Sequence, residues 1–302
     1  MIHQMKLLED PFDRIKNGIK TIEFRLFDEK RRLIKIGDKI EFSKLPDLKE
    51  KILVDVLDLY YEKSFTDLFE KIYSDDKEEI NKKIESIYKI YTKENEEKYG
   101  VLGIKIKLDV DNLKKQINEF KPFNEQEEQD KRIMLKYFED FDDVLTRQNE
   151  YGHFTASAFV LNKERTKILM IYHNIYDSWT WVGGHSDGDN DLLYVALKEA
   201  KEETGLTEVR PIIDEIYSLE IINVNGHFKR EKYVSSHVHL NLTYLLEADE
   251  TEIVKIKEDE NSGVEWTYIE DVIEKSSEKW IKEEIFSKII KKMEKDKIIN
   301  RQ

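Results

Sequence analysis

The sequence predicts a two-domain protein of the α+β and α/β classes. A small barrel or curled sheet with helices comes first, and a mixed-strand α/β domain follows. Three observations point there. The chain has 302 residues, and single hydrophobic cores usually stop growing near ~250–300 residues. A charge-rich stretch without glycine, residues 111–150, separates two regions of strand signals. From His153 onward the pattern changes to strand, glycine turn, helix and further strands. The domains are therefore set at 1–110 and 151–302, with 111–150 as a helical connector. The first helix of the last domain could begin near residue 124.

In the first domain, Pro11 to Asn17 reads as a short helix with Asp10 as N-cap and Gly18 as terminator. Thr21, Glu23 and Arg25 alternate with Ile22, Phe24 and Leu26, as on a strand. Ile40 to Phe42 follows the Gly37-Asp38 turn as a strand, and Lys51 to Tyr61 is another. Ser64 to Tyr73 and Glu78 to Thr92 read as helices. Val101 to Leu108 alternates again and closes the domain. In the connector, Pro122 ends one helix before another begins. Ile133, Leu135, Phe138, Phe141 and Leu145 recur at near-helical spacing, so the second helix is expected to dock on the next domain. A solvated spacer is the alternative.

In the last domain, Phe154 to Leu161 and Ile168 to Tyr172 are strands. Thr180 to Val182 leads into Gly183-Gly184, and Asp191 to Glu203 is a helix capped at Gly205. Long β stretches are expected at Ile212 to Val224 and Lys232 to Leu246, separated by Asn225-Gly226. Gly263 to Ile269 is a further strand, and Trp280 to Met293 a C-terminal helix. Trp179, Trp181, Trp266 and Tyr244 read as core.

Composition narrows the function. The chain carries 50 Lys+Arg against 64 Asp+Glu, a net charge of −14, which excludes a globally basic nucleic-acid binder. With no cysteine there is no disulfide scaffold, thiolate metal site or Cys nucleophile. No apolar run approaches the ~18 residues of a membrane span, and no apolar signal core opens the chain. A soluble, cytoplasmic protein is expected, of unknown oligomeric state. The charge is uneven. Arg14 to Lys39 holds nine basic and four acidic residues, so an acidic protein has one segment suited to anions.

The informative stretch runs from Gly183-Gly184-His185 to Lys198-Glu199-Ala200-Lys201-Glu202-Glu203-Thr204-Gly205-Leu206. On a helix, Glu199, Glu202 and Glu203 share one face. Leu193, Ala196, Leu197 and Ala200 form the adjoining buried face. Three carboxylates repel one another, and a hard divalent cation such as Mg²⁺ or Mn²⁺ would relieve that repulsion. The Gly-Gly turn lets a backbone carbonyl approach the same ion. A solvated acidic face is the alternative for the helix alone.

This stretch resembles the Nudix box, G-x5-E-x7-R-E-U-x-E-E-x-G-U. Gly184, Glu199, Glu202, Glu203, Gly205 and Leu206 match, and Ala200 fills the aliphatic position. Asn190 stands where the box has its first Glu, and Lys198 where it has Arg, and these two departures make a non-catalytic nucleotide- or RNA-binding regulator the alternative reading. The resemblance implies an α/β/α sandwich and cation-dependent hydrolysis of a diphosphate linked to another moiety, usually a nucleoside. It implies Glu199, Glu202, Glu203 and the Gly183 backbone as ligands, with Glu203 or Glu260 as general base. A solvated turn is the alternative for Glu260.

Other residues carry less. Lys229 or Arg230 could meet substrate phosphates, though an exposed hairpin end explains Phe228 to Tyr233 as well. His237 and His239 share a strand face. A metal site needs three or four ligands and no third is evident in sequence, so hydrogen-bonded strand histidines are expected. His185 is a candidate polar pocket residue.

Gly18-Ile-Lys20-Thr21-Ile-Glu23-Phe-Arg25 resembles the G-x-K-x-x-E-x-R motif of ASCH domains. The similarity covers about residues 1–108 and implies a small β-barrel. It further implies an RNA or nucleotide cleft lined by Lys20, Glu23 and Arg25. Some small members hydrolyse acylated cytidine with a Lys and a Thr. Their Thr aligns with Glu23 here, which leaves Thr21 as the alternative nucleophile.

Overall fold

The computed structural model describes residues 1–73, 77–229 and 232–299. The chain divides into two compact units, Met1–Asp109 and Val110–Gln302.

The first unit is built on five strands: β1 (Ile2–Leu7), β2 (Ile22–Leu26), β3 (Lys39–Lys44), β4 (Lys51–Glu62) and β5 (Val101–Leu108). Their order is β1-β3-β4-β5-β2. β1 and β3 run parallel, and the other neighbours are antiparallel. No pairing joins β1 to β2 among the described residues, so the sheet is a curled half-barrel. Strand alternation buries Ile40 and Phe42 on β3 and Val54 and Val56 on β4. The helices are α1 (Glu9–Lys16), α2 (Phe65–Ile72), α3 (Lys77–Ile87) and α4 (Lys93–Tyr99). Phe24 of β2 meets Phe69 of α2 edge to face at 4.9 Å, which seats α2 on the sheet. Asp10 is not the N-cap of α1. The helix starts earlier, and Leu8 at the cap position makes no side-chain hydrogen bond. β1 has no local signal, because its hydrogen bonds come from a parallel strand more than thirty residues away.

The second unit begins with α5 (Asp111–Glu119) and α6 (Glu125–Asp140). Asn124 caps α6 by accepting the Glu127 N–H, and Phe138 stacks on Phe154 at 5.0 Å. Its main sheet holds β6 (Gly152–Asn162), β7 (Lys167–His173), β8 (Ser178–Thr180), β9 (Val182–His185), β10 (Val209–Pro211), β11 (Ser218–Val224), β14 (His237–Ala248) and β15 (Asn261–Tyr268). β12 (His227–Lys229) and β13 (Lys232–Val234) form a separate hairpin. The principal order is β10-β14-β6-β7-β15, with β9 on β6, β8 on β7 and β11 on β14. Only β14 and β6 are parallel among these pairs.

Helix α7 (Leu192–Thr204) packs on β6 and β9. The chain ends in α8 (Val272–Lys275), a π-helical turn (Ile281–Phe286) and α9 (Ser287–Lys295). Phe159 and Leu161 of β6 share one core with Trp181, Ile285, Phe286, Ile289 and Met293. The result is a sheet packed between helices. The stretch expected as one strand over 212–224 is strand only from Ser218. Pro211 ends β10, and Ile212 and Tyr217 keep isolated bonds to β14 across a bend. The stretch over 232–246 divides into β13 and β14.

Candidate active site

The site grows from β9, the loop after it and α7. Asp191 caps α7 by accepting the Tyr194 N–H at 3.0 Å. Gly205 ends it at φ +73°, a left-handed conformation that costs glycine little. One face of α7 buries Val195, Ala196 and Ala200. That burial fixes the rotation of the helix and aims Glu199 and Glu203 at β9, while Glu202 faces Lys198 and Lys257.

Glu203 is 2% exposed and accepts the Gly183 N–H at 2.9 Å. The Glu199 side chain is 12% exposed and that of Glu202 45%. Close approach requires the two glycines. A Cβ on Gly184 would fall 2.5 Å from Glu199 Cδ, and one on Gly183 would fall 2.6 Å from the Ala156 carbonyl oxygen. Glu260 arrives from the turn before β15. Asn261, beside it, donates to the Glu203 carbonyl at 2.9 Å.

Electrostatics mark these groups. Burial pushes the Glu203 carboxyl well above its usual range despite the Gly183 N–H, and Glu199 and Glu260 push the same way. Burial also raises Glu199; Lys198 opposes that shift and Glu202 adds to it. Two ammonium groups stand against the acids. Lys198 lies 3.3 Å from Glu199 and 3.6 Å from Glu202. Lys257 lies 2.9 Å from Glu260 and 3.7 Å from Glu202. A donor set of buried, mutually repelling carboxylates under bare glycine backbone fits a hard divalent cation.

Lys198 therefore pairs with the carboxylates of its own helix. Other residues hold the loop after β9. Arg147 grips Asp187 through two bonds of 2.8 and 2.6 Å. Ser186 Oγ donates to the Leu145 carbonyl at 2.7 Å, and the Gly188 N–H bonds to the same oxygen at 2.8 Å. No local pattern marks this clamp, because Arg147 and Asp187 are forty residues apart. Lys257 was likewise unforeseen. His185 lies beside His153 and His239, and His237 lies beside the same two rings, with ring centroids of neighbouring pairs 4.9–5.3 Å apart. Arg230 lies outside the described residues.

In the first unit, Glu23 joins the other two motif side chains. Lys20 Nζ donates to Glu23 Oε2 at 2.6 Å, and Arg25 Nε lies 2.8 Å from Glu23 Oε1. Burial alone would lower the Arg25 pKa, but Glu23 and Tyr91 outweigh it and hold the guanidinium charged. A separate cavity of about 740 Å³ is lined by Phe27, Tyr61, Tyr88, Tyr99, Lys63 and Lys98 among others. None of Lys20, Glu23 and Arg25 lines it.

Residues 5–109 match the ASCH domain and residues 152–289 the NUDIX domain. The chain joins an ASCH domain to a NUDIX domain. Its ASCH part is similar to a Pyrococcus furiosus protein solved by NMR, at 32% identity over 36% of this chain and 97% of that one, with a TM-score of 0.28. Its NUDIX part is similar to a NUDIX-family hydrolase from Clostridium perfringens, at 23% identity over 39% of this chain and 83% of that one, with a TM-score of 0.30. It is also similar to the C. elegans Ap4A hydrolase, at 18% identity over 48% of this chain and 97% of that one, with a TM-score of 0.33. No curated protein matches. No helix of the described residues is long and apolar enough to cross a membrane.

Proposed function

We propose that the NUDIX domain is a Mg²⁺- or Mn²⁺-dependent pyrophosphohydrolase of a nucleoside-diphosphate-linked or nucleotide-capped substrate. The ASCH domain is its RNA or nucleotide recognition module. One observation carries the reading: Glu199 and Glu203 of α7 lie against Gly184 and Gly183, Glu202 shares their helix face, and Glu260 adds its charge to that of Glu203.

Glu199, Glu202, Glu203 and the Gly183 backbone would hold the cation. When bound, it supplies positive charge against the diphosphate oxygens and makes a water acidic enough to lose a proton near neutrality. The Gly183 N–H fixes one Glu203 oxygen, so its carboxylate cannot swing away. Glu260 takes the role of general base. Its side chain is half exposed and beside the buried acids, so it can reach a water and pass the proton to solvent. Lys198 and Lys257 hold the surplus negative charge until substrate arrives and are then placed to meet phosphate oxygens. In the ASCH domain, Lys20 and Arg25 flank Glu23 as two fixed cations around one acceptor. That pattern suits a phosphate together with a base edge.

The test is release of phosphate or mononucleotide from a panel of nucleoside diphosphate derivatives and capped RNA, with Mg²⁺ and with Mn²⁺. Turnover that needs the cation and falls at least ~10²-fold in Glu260→Gln supports the assignment. Unchanged turnover in Glu260→Gln removes Glu260 as base.

A further inference from the structure

Four imidazoles meet on the polar face of the second unit. His239 of β14 is in register with His153 of β6. Thr155, two residues along the same face of β6, is in register with His185 of β9. His237 lies two residues before His239 on the same strand face. One ring nitrogen from each of His153, His185 and His239 lies within 4.8 Å of the others. His237 Nε2 is 3.3 Å from His239 Nε2.

Two of the rings are oriented from behind. His153 Nδ1 lies 3.1 Å from the Asn149 carbonyl oxygen, and His237 Nδ1 lies 2.8 Å from the Ser235 carbonyl oxygen. A carbonyl only accepts, so each Nδ1 carries the hydrogen and each Nε2 presents a lone pair. His153 Nε2 is buried and makes no hydrogen bond. A buried acceptor without a partner costs roughly 1–3 kcal/mol, and native structures seldom leave one. Backbone carbonyls behind metal-bound imidazoles are the usual second layer of such sites.

We propose that His153, His185, His237 and His239 bind one borderline first-row cation of the zinc type, at a site distinct from the carboxylates of α7. Imidazole donors select zinc-type ions over Mg²⁺ and Mn²⁺. Tetrahedral Zn²⁺ with bonds of ~2.0–2.1 Å sets its nitrogens about 3.3–3.4 Å apart. The His237–His239 spacing of 3.3 Å already meets that value, and the wider triple, within 4.8 Å, closes by up to about 1.4 Å through side-chain rotation. Burial and mutual repulsion keep His153 and His239 neutral, the ligating form. His185 follows Gly184 directly, so an ion here ties the start of the box loop to β6 and β14. The inference does not depend on the hydrolase reading.

The test uses the full chain without a polyhistidine tag, stripped with a chelator. Zn²⁺ is titrated by calorimetry and Co²⁺ by visible absorption, both with millimolar Mg²⁺ present. One equivalent of Zn²⁺ is expected, with tetrahedral Co²⁺ bands. His153→Gln and His239→Gln lose that equivalent, and Glu202→Gln keeps it. His237→Gln, at the edge of the cluster, folds and binds at least tenfold more weakly. Zn²⁺ binding unchanged in His237→Gln and in whichever of the inner variants folds would overturn the proposal. Loss of the equivalent in Glu202→Gln would do the same, because it would place the ion on the carboxylates.

Discussion

Ionising Glu203 puts a charge where solvent scarcely reaches, beside two further carboxylates. Its folded-state pKa is raised, so the folded chain holds the proton to higher pH than the unfolded chain, whose Glu titrates near ~4.3. That contribution to stability is present below the unfolded value and is lost as pH rises through the folded one. Glu203→Gln keeps an oxygen for the Gly183 N–H and removes the charge. Without divalent cation at pH 8, it should melt about 2–4 °C higher than the parent chain, equivalent to ~1 kcal/mol. Differential scanning fluorimetry reads this directly. Protons and Mg²⁺ compete for the same oxygens, so the Mg²⁺ concentration for half-maximal rate should rise as pH falls through the raised values of Glu199 and Glu203. Gly184→Ala tests the bare backbone. Its Cβ would sit 2.5 Å from Glu199 Cδ, and displacing that carboxylate should lower kcat about 10²-fold.

At the scale of elements, two contacts separate positioning from stability. Arg147 and Asp187 are both nearly half exposed, so their pair contributes at most ~1 kcal/mol to folding. Arg147→Ala should leave the melting temperature within about 2–4 °C, while amide exchange quickens in the loop after β9 and kcat drops about tenfold. Lys288 of α9 is the opposite case. It is buried between Glu127 of α6 and Glu220 of β11, at 3.2 and 3.0 Å. Ser218, Asn241 and Thr243 complete this network under the helices. Lys288→Met strands two buried carboxylates and should cost ~3–5 kcal/mol in urea unfolding.

The same contrast decides what the sequence could show. The acidic face of α7 follows from spacing alone, and so do its glycine cap and the strand before it. β5 was legible because alternation is local. The clamp of Arg147 on Asp187 and the Lys288 network were not, since each joins residues brought together only by the tertiary fold. The histidine cluster needed three strands. Sequence spacing showed His237 and His239 on one face but could not supply His153 and His185, which register on neighbouring strands brings in.

For the whole molecule, the net charge of −14 resolves into parts with different partners. The ASCH unit carries the basic segment Arg14 to Lys39 and its Lys20–Glu23–Arg25 cluster. The NUDIX unit carries the acids that a cation would neutralise. Arg25→Ala should weaken retention of single-stranded RNA about tenfold in filter binding and reduce its salt dependence. The account stands or falls on cation-dependent cleavage by the carboxylates of α7. The decisive measurement is nucleotide release from nucleoside diphosphate derivatives by the full chain, with and without Mg²⁺, for the parent and for Glu202→Gln and Glu203→Gln. The account predicts turnover only with the cation and a loss of at least ~10²–10³-fold in each variant. Full activity in both variants, or equal activity after chelation, would contradict it.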